Sequence, residues 1–216
     1  MANTYTWRPT GGNYYSSSGS SAGGSNHFYY SSNRAFRMDF PNLSGQLGKD
    51  KKTLSITSAI LKVYISTANS ATLTIGYSYK TAFDDRKTML AKVTGVKMKT
   101  STGWMSIDLT DVIKAYAKDG STSTMRLWGY GTGGSTTNSN FRGYNPSSSY
   151  TSQRPYLLLT YSDSTVWYNN YGTWTQCLVY YCDNGTWRPV LPYYNSGGSW
   201  VLVCLCSLQY NRNACF

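Results

Sequence analysis

The sequence predicts an all-β protein, a β-sandwich with one short helix followed by a small module of β-hairpin repeats, and three observations predict it. First, apolar and polar residues alternate with a period of two in several separate runs, as in Phe36, Met38 and Phe40 against Arg37 and Asp39. Second, Tyr occupies 21 of 216 positions and charged residues only 13%, with Ser, Thr, Gly and Asn between the aromatics. Aromatic residues favour strands, and small polar residues supply turns. Third, one 13-residue unit recurs in register near the C-terminus. Trp167-Tyr168 precedes Gly172-Thr173-Trp174, Tyr180-Tyr181 precedes Gly185-Thr186-Trp187, and Tyr193-Tyr194 precedes Gly198-Ser199-Trp200. That period is the length of a hairpin.

Residues 1–24 are dominated by Gly, Ser, Asn and Tyr and read as a flexible or anchoring arm. Residues 25–162 read as the sandwich. Its strands are predicted at Ala35 to Phe40, at Ala59, Leu61, Val63 and Ile65 against Lys62 and Tyr64, and at Leu73, Ile75, Tyr77 and Tyr79 against Thr72, Thr74 and Ser78. Further strands are predicted at Trp104 to Leu109, Met125 to Tyr130 and Tyr156 to Tyr161. Between them Thr110 is placed to cap a short helix with Val112, Ile113 and Tyr116 on one side, ended by Asp119-Gly120. Residues 129–150 read as a long surface loop whose Gly-rich start lacks the Gly-Lys-Ser/Thr ending of a phosphate loop. Residues 163–216 form the repeat module, in which Asn184-Gly185 suits a type I′ turn.

Four stretches carry a family resemblance: Arg34 to Phe40, Ser58 to Tyr64, Trp104 to Val112, and Arg154 to Tyr161. In this order they resemble the DNRLRE-type jelly-roll modules, related in shape to carbohydrate-binding modules and met in bacterial surface and phage structural proteins. The resemblance spans residues 34–161 and implies a jelly-roll β-sandwich. Where such modules often carry Trp and acidic residues, this chain has Phe83-Asp84-Asp85-Arg86 and then Lys92, Lys97 and Lys99, so a family calcium site is not carried over. The repeat resembles the Asn-Gly-Thr-Trp hairpins that close many phage structural proteins and, more loosely, the aromatic repeats of choline-binding proteins. Together these imply a virion surface subunit: a fibre, tail-tip or capsid-decorating protein.

Composition narrows the chemistry. The acids are nine Asp and no Glu, and His27 is the sole histidine, thin material for general acid–base work, so no enzyme is expected. A glycan-active enzyme would need paired carboxylates, for which Asp108 and Asp111 are the nearest ordered pair. The net charge of +11 favours anionic partners, but the Lys and Arg are scattered, so no specific nucleic acid is expected. The polar opening decapeptide and the lack of a long apolar run predict neither export by a signal peptide nor a membrane partner. Synthesis in the bacterial cytoplasm and release by lysis are expected. Cys177, Cys182, Cys204, Cys206 and Cys215 leave three readings open, namely a zinc site, late disulfides or plain thiols. No cofactor or metal is expected.

The candidate binding residues are Trp174, Trp187 and Trp200 with Tyr181 and Tyr194, a ladder on which sugar rings could stack. The competing reading makes the three Trp a core shared between hairpins. Trp104 and Trp128, inside strand patterns, read as packing. Expected partners are other virion proteins, host or mucus glycans, and copies of the same chain, with a trimer favoured because such hairpins are marginal alone.

Overall fold

A computed structural model describes residues 2–16, 18–31, 34–83, 87–134 and 139–163, together with the backbone of six further strands within 165–202. The chain divides into two compact units. One comprises Met1–Lys52 with Ile56–Tyr161, and the other Thr53–Ser55 with Ser162–Phe216.

The first unit is an all-β sandwich of two six-stranded sheets, and every pairing resolved between its strands is antiparallel. One sheet, called A, contains β1 (Asn3–Trp7), β4 (His27–Tyr30), β6 (Leu54–Thr67), β9 (Gly103–Asp108), β11 (Ser139–Arg142) and β12 (Tyr156–Asp163). Its order is β1-β12-β6-β11-β4, with β9 also paired to the long β6. Sheet B runs β3 (Ser21–Gly23), β2 (Gly11–Tyr15), β5 (Ala35–Phe40), β10 (Met125–Gly134), β7 (Ala71–Ser78) and β8 (Ala91–Lys97). From β4 to β11 the chain passes back and forth between the sheets, staying in one only from β7 to β8, the alternation that makes a jelly roll.

The inner faces follow the period-two pattern. Phe36, Met38 and Phe40 of β5, Ala59, Leu61, Val63 and Ile65 of β6, and Leu73 and Ile75 of β7 are all buried. Rings concentrate at two places between the sheets. Phe28, Tyr30 and Phe36 surround Phe141, and Trp7 packs on Phe40 and Tyr116. Gly129 of β10 faces inward under Phe36, where a Cβ would stand 2.2 Å from Phe36 Cζ. The aromatic fills the volume that a side chain at position 129 would take.

Four expectations are corrected. Residues 1–24 contribute three strands rather than an arm: β1 pairs with β12, β2 with β5, and Trp7 is fully buried with its indole N–H donated to Pro41 O. Small residues in strand pairing simulate a linker by composition, while the few aromatics among them set the packing.

Residues 129–150 are mostly not a loop. β10 continues to Gly134 with an irregularity between Gly131 and Gly133, and β11 follows in the opposite sheet.

Two α-helices occur among the described residues, not one. The first, α1 (Leu43–Leu47), is started by the Asn42 side-chain Oδ1, which accepts from Ser44 N at 2.7 Å, and is closed by Gly48 at φ 64°.

The second, α2 (Thr110–Lys118), buries Val112, Ile113 and Tyr116 as expected, but Thr110 is inside it and Leu109 is the N-cap. Asp108 supplies the capping carboxylate, accepting from Thr110 N at 2.8 Å and Thr110 Oγ1 at 2.6 Å. Those hydrogen bonds hold the Asp108 carboxyl below the usual range.

Beyond residue 163 three two-stranded hairpins follow: β13 (Thr165–Asn170) with β14 (Thr173–Leu178), β15 (Tyr180–Asp183) with β16 (Thr186–Pro189), and β17 (Tyr193–Ser196) with β18 (Ser199–Leu202). The 13-residue period is thus one hairpin.

Candidate functional site: an aromatic platform on the outer face of sheet A

The outer face of sheet A is built by the polar phase of its strands. In β6, Leu61, Val63 and Ile65 turn inward, which sends Lys62 and Tyr64 outward. In β9, Ile107 is buried, which sends Trp104, Ser106 and Asp108 outward. The register places Tyr64 directly opposite Trp104 and Lys62 opposite Ser106, whose hydroxyl accepts from Lys62 Nζ at 2.6 Å. In β12, Leu157 and Leu159 are buried, so Tyr156 joins the same outer face.

These residues form one aromatic group. The Trp104 and Tyr64 rings are perpendicular, with centroids 5.7 Å apart at 88°, and Tyr156 packs near Trp104 at 5.8 Å and 66°. Trp104 keeps 42% of its surface exposed, and among the described residues it is the one Trp so exposed. An indole packed against two phenols is restrained in orientation, and the exposed part of its surface is available to a ligand.

The platform continues into a cleft. At the end of β1, Trp7 turns into the core, and Arg8 turns outward to lie over the Tyr156 ring with its guanidinium carbon 5.0 Å from the centroid. Arg8, Thr10, Tyr144, Asn145, Arg154 and Pro155 line a cleft of 350 Å³. One wall is held by main-chain hydrogen bonds from Gly143, Tyr144 and Asn145 to Asn26, Gly24 and Ser25. Arg154 Nη2 donates to Asn145 Oδ1 at 2.8 Å, while its buried Nε has no partner.

Other titratable groups serve the fold. Arg142 donates to His27 Nε2 at 2.8 Å and to Gln153 Oε1 at 3.0 Å, and lies 3.6 Å from the Tyr150 centroid. An arginine can only donate, so Nε2 is the acceptor of a neutral imidazole. Burial and, after it, the neighbouring Arg142 lower the His27 pKa accordingly. Asp108 and Asp111 both border a 530 Å³ cleft, but Asp108 caps α2 and the exposed Asp111 pairs with Lys114 at 3.7 Å. Lys51, 2% exposed, donates to the Tyr116 and Asp119 carbonyls and sits 4.1 Å over the Tyr116 ring, so it pins the end of α2. Burial lowers its pKa. Among the described residues no group of three His, Cys or Asp is placed to hold a metal ion, and no helix is long and apolar enough to cross a membrane.

The candidate ladder of the repeats divides by register. Trp174 lies opposite Asn169, Trp187 opposite Cys182, and Trp200 opposite Asn195. Tyr181 lies opposite Arg188, and Tyr194 opposite Val201. Neighbouring positions alternate between faces, so the three Trp occupy one face of their hairpins and Tyr181 and Tyr194 the other. The aromatics that share the Trp face are the first of each pair: Trp167, Tyr180 and Tyr193. The side chains of the five candidate residues lie outside the described part of the structure. Cys177 lies opposite Val166 in the first hairpin. The sites read at Asp84 and Asp85 and at Cys204, Cys206 and Cys215 lie outside the described residues.

The sequence reading of Trp104 as packing is corrected, since its indole is 42% exposed while Trp128 is buried as expected, and Tyr64, Tyr156 and Arg8 were passed over as site residues. A signal was present: Trp104 is in phase with Ser106 and Asp108, and Tyr64 with Lys62. An aromatic in the polar phase of a strand is either covered by another segment or left for a ligand.

A scan against protein-family models found no match to the chain, and none was found among curated proteins.

Proposed function

We propose that this protein is a non-catalytic, polysaccharide-binding surface subunit of a bacteriophage virion, and that sugar rings stack on Trp104. The observation that carries the reading is the 42%-exposed Trp104 indole packed beside Tyr64 and Tyr156, with Lys62 and Arg8 as donors on the same outer side. A pyranose packs its C–H face on such an indole while flanking donors bind its hydroxyls. The virion setting rests on the family resemblance and on a surface rich in Tyr, Ser and Thr. The Asp residues near the clefts are engaged in capping and ion pairing, which suits binding without bond cleavage.

The test is a glycan array probed with the full chain, with Trp104→Ala and with Trp187→Ala. Binding lost in Trp104→Ala and kept in Trp187→Ala supports the platform. Loss only in Trp187→Ala moves the site to the repeats, and no binding by the parent chain rejects the reading.

A second, architectural reading is favoured by the repeats. Each hairpin is a separate two-stranded sheet carrying Trp and a second aromatic on one face, an arrangement marginally stable unless that face is covered. Association of copies, as a trimer, would cover it. Sedimentation at equilibrium tests this, and a monomer at all concentrations would reject it.

A further inference from the structure

We infer that the ligand of this face is an acidic polysaccharide, whose carboxylate or sulfate is read by Arg8 and Arg154 in the cleft beside the Trp104 platform. The inference rests on the glycan-binding reading above and adds its charge class. Two guanidinium groups line one 350 Å³ cleft that no carboxylate lines. Neither arginine makes an ion pair among the described residues. Arg8 Nη1 reaches only the Arg154 carbonyl, at 3.5 Å, and Arg154 Nη2 reaches Asn145 Oδ1.

The contrast with the other arginines of the sandwich is informative. Arg37 is spent on a two-pronged pair with Asp39 at 2.7 and 2.9 Å, and Arg126 leans on the same carboxylate. Arg142 is engaged by His27, Gln153 and Tyr150. Arg154, like Arg126, keeps a buried Nε with no hydrogen-bond acceptor, but Arg126 has the Asp39 carboxylate 4.0 Å away and Arg154 has no ion-pair partner among the described residues, a state that costs free energy unless something outside the chain supplies one. A planar guanidinium matches a carboxylate or sulfate oxygen pair, and a second guanidinium in the same cleft strengthens the site.

The cleft and the platform are continuous. Arg8 covers Tyr156, and Tyr156 touches Trp104, so a chain lying across sheet A can present a C–H face to the indole and an acidic group to the arginines. Two cations converging on one cleft suit a single anionic group. A nucleic-acid strand would instead call for a line of cations following its phosphates. The net charge of +11 adds long-range attraction of the same sign.

The test uses the full chain on an array of uronate-, sulfate- and phosphate-bearing glycans and their neutral counterparts, with polygalacturonate and its methyl ester as a matched pair and oligothymidylate alongside. The expected result is binding confined to carboxylate- or sulfate-bearing glycans, weakened about tenfold or more in both Arg8→Gln and Arg154→Gln, since hydrogen bonds to charged groups are worth that much. Arg8 is exposed, so its variant keeps the fold even where Arg154→Gln lowers the melting temperature. Equal binding of neutral and acidic glycans, lost in Trp104→Ala and unchanged in the arginine variants, overturns the charge class and leaves the glycan reading standing. Oligothymidylate binding as tight as any glycan, with the same arginine dependence, overturns the inference in favour of nucleic acid. Binding to no glycan overturns both.

Discussion

The two outer faces of the sandwich carry one tryptophan each, in equivalent phases of their strands, and the two have opposite fates. Trp128 follows Arg126 on the outer face of sheet B and is fully buried; Trp104 precedes Ser106 on the outer face of sheet A and is 42% exposed. Coverage by a distant segment makes the difference. Residues 79–83 cross sheet B: Trp128 Nε1 donates to Lys80 O, Tyr15 Oη and Arg37 Nη1 to Thr81 O, and Phe83 packs on Tyr15. Tyr15, Ala35 and Trp128 thus form a second small core outside the main one, with Met89 and Tyr130 against it. Among the described residues, the rings packed on Trp104 are those of Tyr64 and Tyr156, its neighbours in the sheet. A polar-phase tryptophan is a question, and the segment above it gives the answer.

The sharpest way to break the comparison is to remove each indole in turn. Trp128→Ala empties a packed site and is expected to lower stability by about 3–5 kcal/mol, measured by denaturant unfolding. A loss below about 1 kcal/mol would mean that the segment 79–83 does not cover sheet B in solution.

Next in size is Arg37→Met. Arg37 ties Asp39, Tyr15 Oη and Thr81 O together, and its loss leaves the Asp39 carboxylate without its two-pronged donor and Tyr15 Oη without the guanidinium, while Thr81 O keeps the Tyr15 hydroxyl. A decrease of about 2–3 kcal/mol is expected, together with faster proteolysis near residues 79–90. Unchanged proteolysis would show that the covering segment is held by its aromatic contacts alone.

The inner core gives a pH test. Burial pushes the Tyr30 hydroxyl up to about 12, and burial with the nearby Asp119 carboxylate pushes Tyr77 up to about 12. A raised folded pKa means that the neutral phenol is favoured by folding. The stability from these groups is whole below the ordinary value of 10, and is lost as pH rises from 10 through about 12. Alkaline unfolding that begins above pH 10, with phenolate absorbance rising in the same cooperative step, is the expected outcome. Phenolate formation well before unfolding would contradict the burial of these rings.

The smallest effect belongs to Trp104→Ala, which is expected to change stability by no more than about 0.5 kcal/mol because the residue lies on the outer face and is 42% exposed. A loss above about 2 kcal/mol would make Trp104 a packing residue after all.

These contrasts also mark how far the sequence could be read. Phe36, Met38 and Phe40, and Ala59 through Ile65, were legible because one face of each strand is buried and the period is local. α2 was legible from its apolar spacing, although Leu109 took the cap and Asp108 the capping bonds. The strands of residues 3–30 were not, since Gly and Ser hide strands whose order comes from pairing with β5 and β12. Nor was the platform, because Tyr64, Trp104 and Tyr156 come from three strands, and Arg8 follows the end of a fourth, that only the sheet brings together. For the repeats the period was legible, because each 13-residue unit is one local hairpin.

The most direct measurement is fluorine NMR of the full chain labelled with fluorotryptophan, in which seven tryptophans give seven signals, with Trp104 assigned by Trp104→Phe. On adding an acidic polysaccharide that the array identifies, the Trp104 signal is predicted to shift or broaden while those of Trp7 and Trp128 stay in place. Movement of the Trp174, Trp187 and Trp200 signals with Trp104 unchanged would contradict the account and return the binding site to the hairpins.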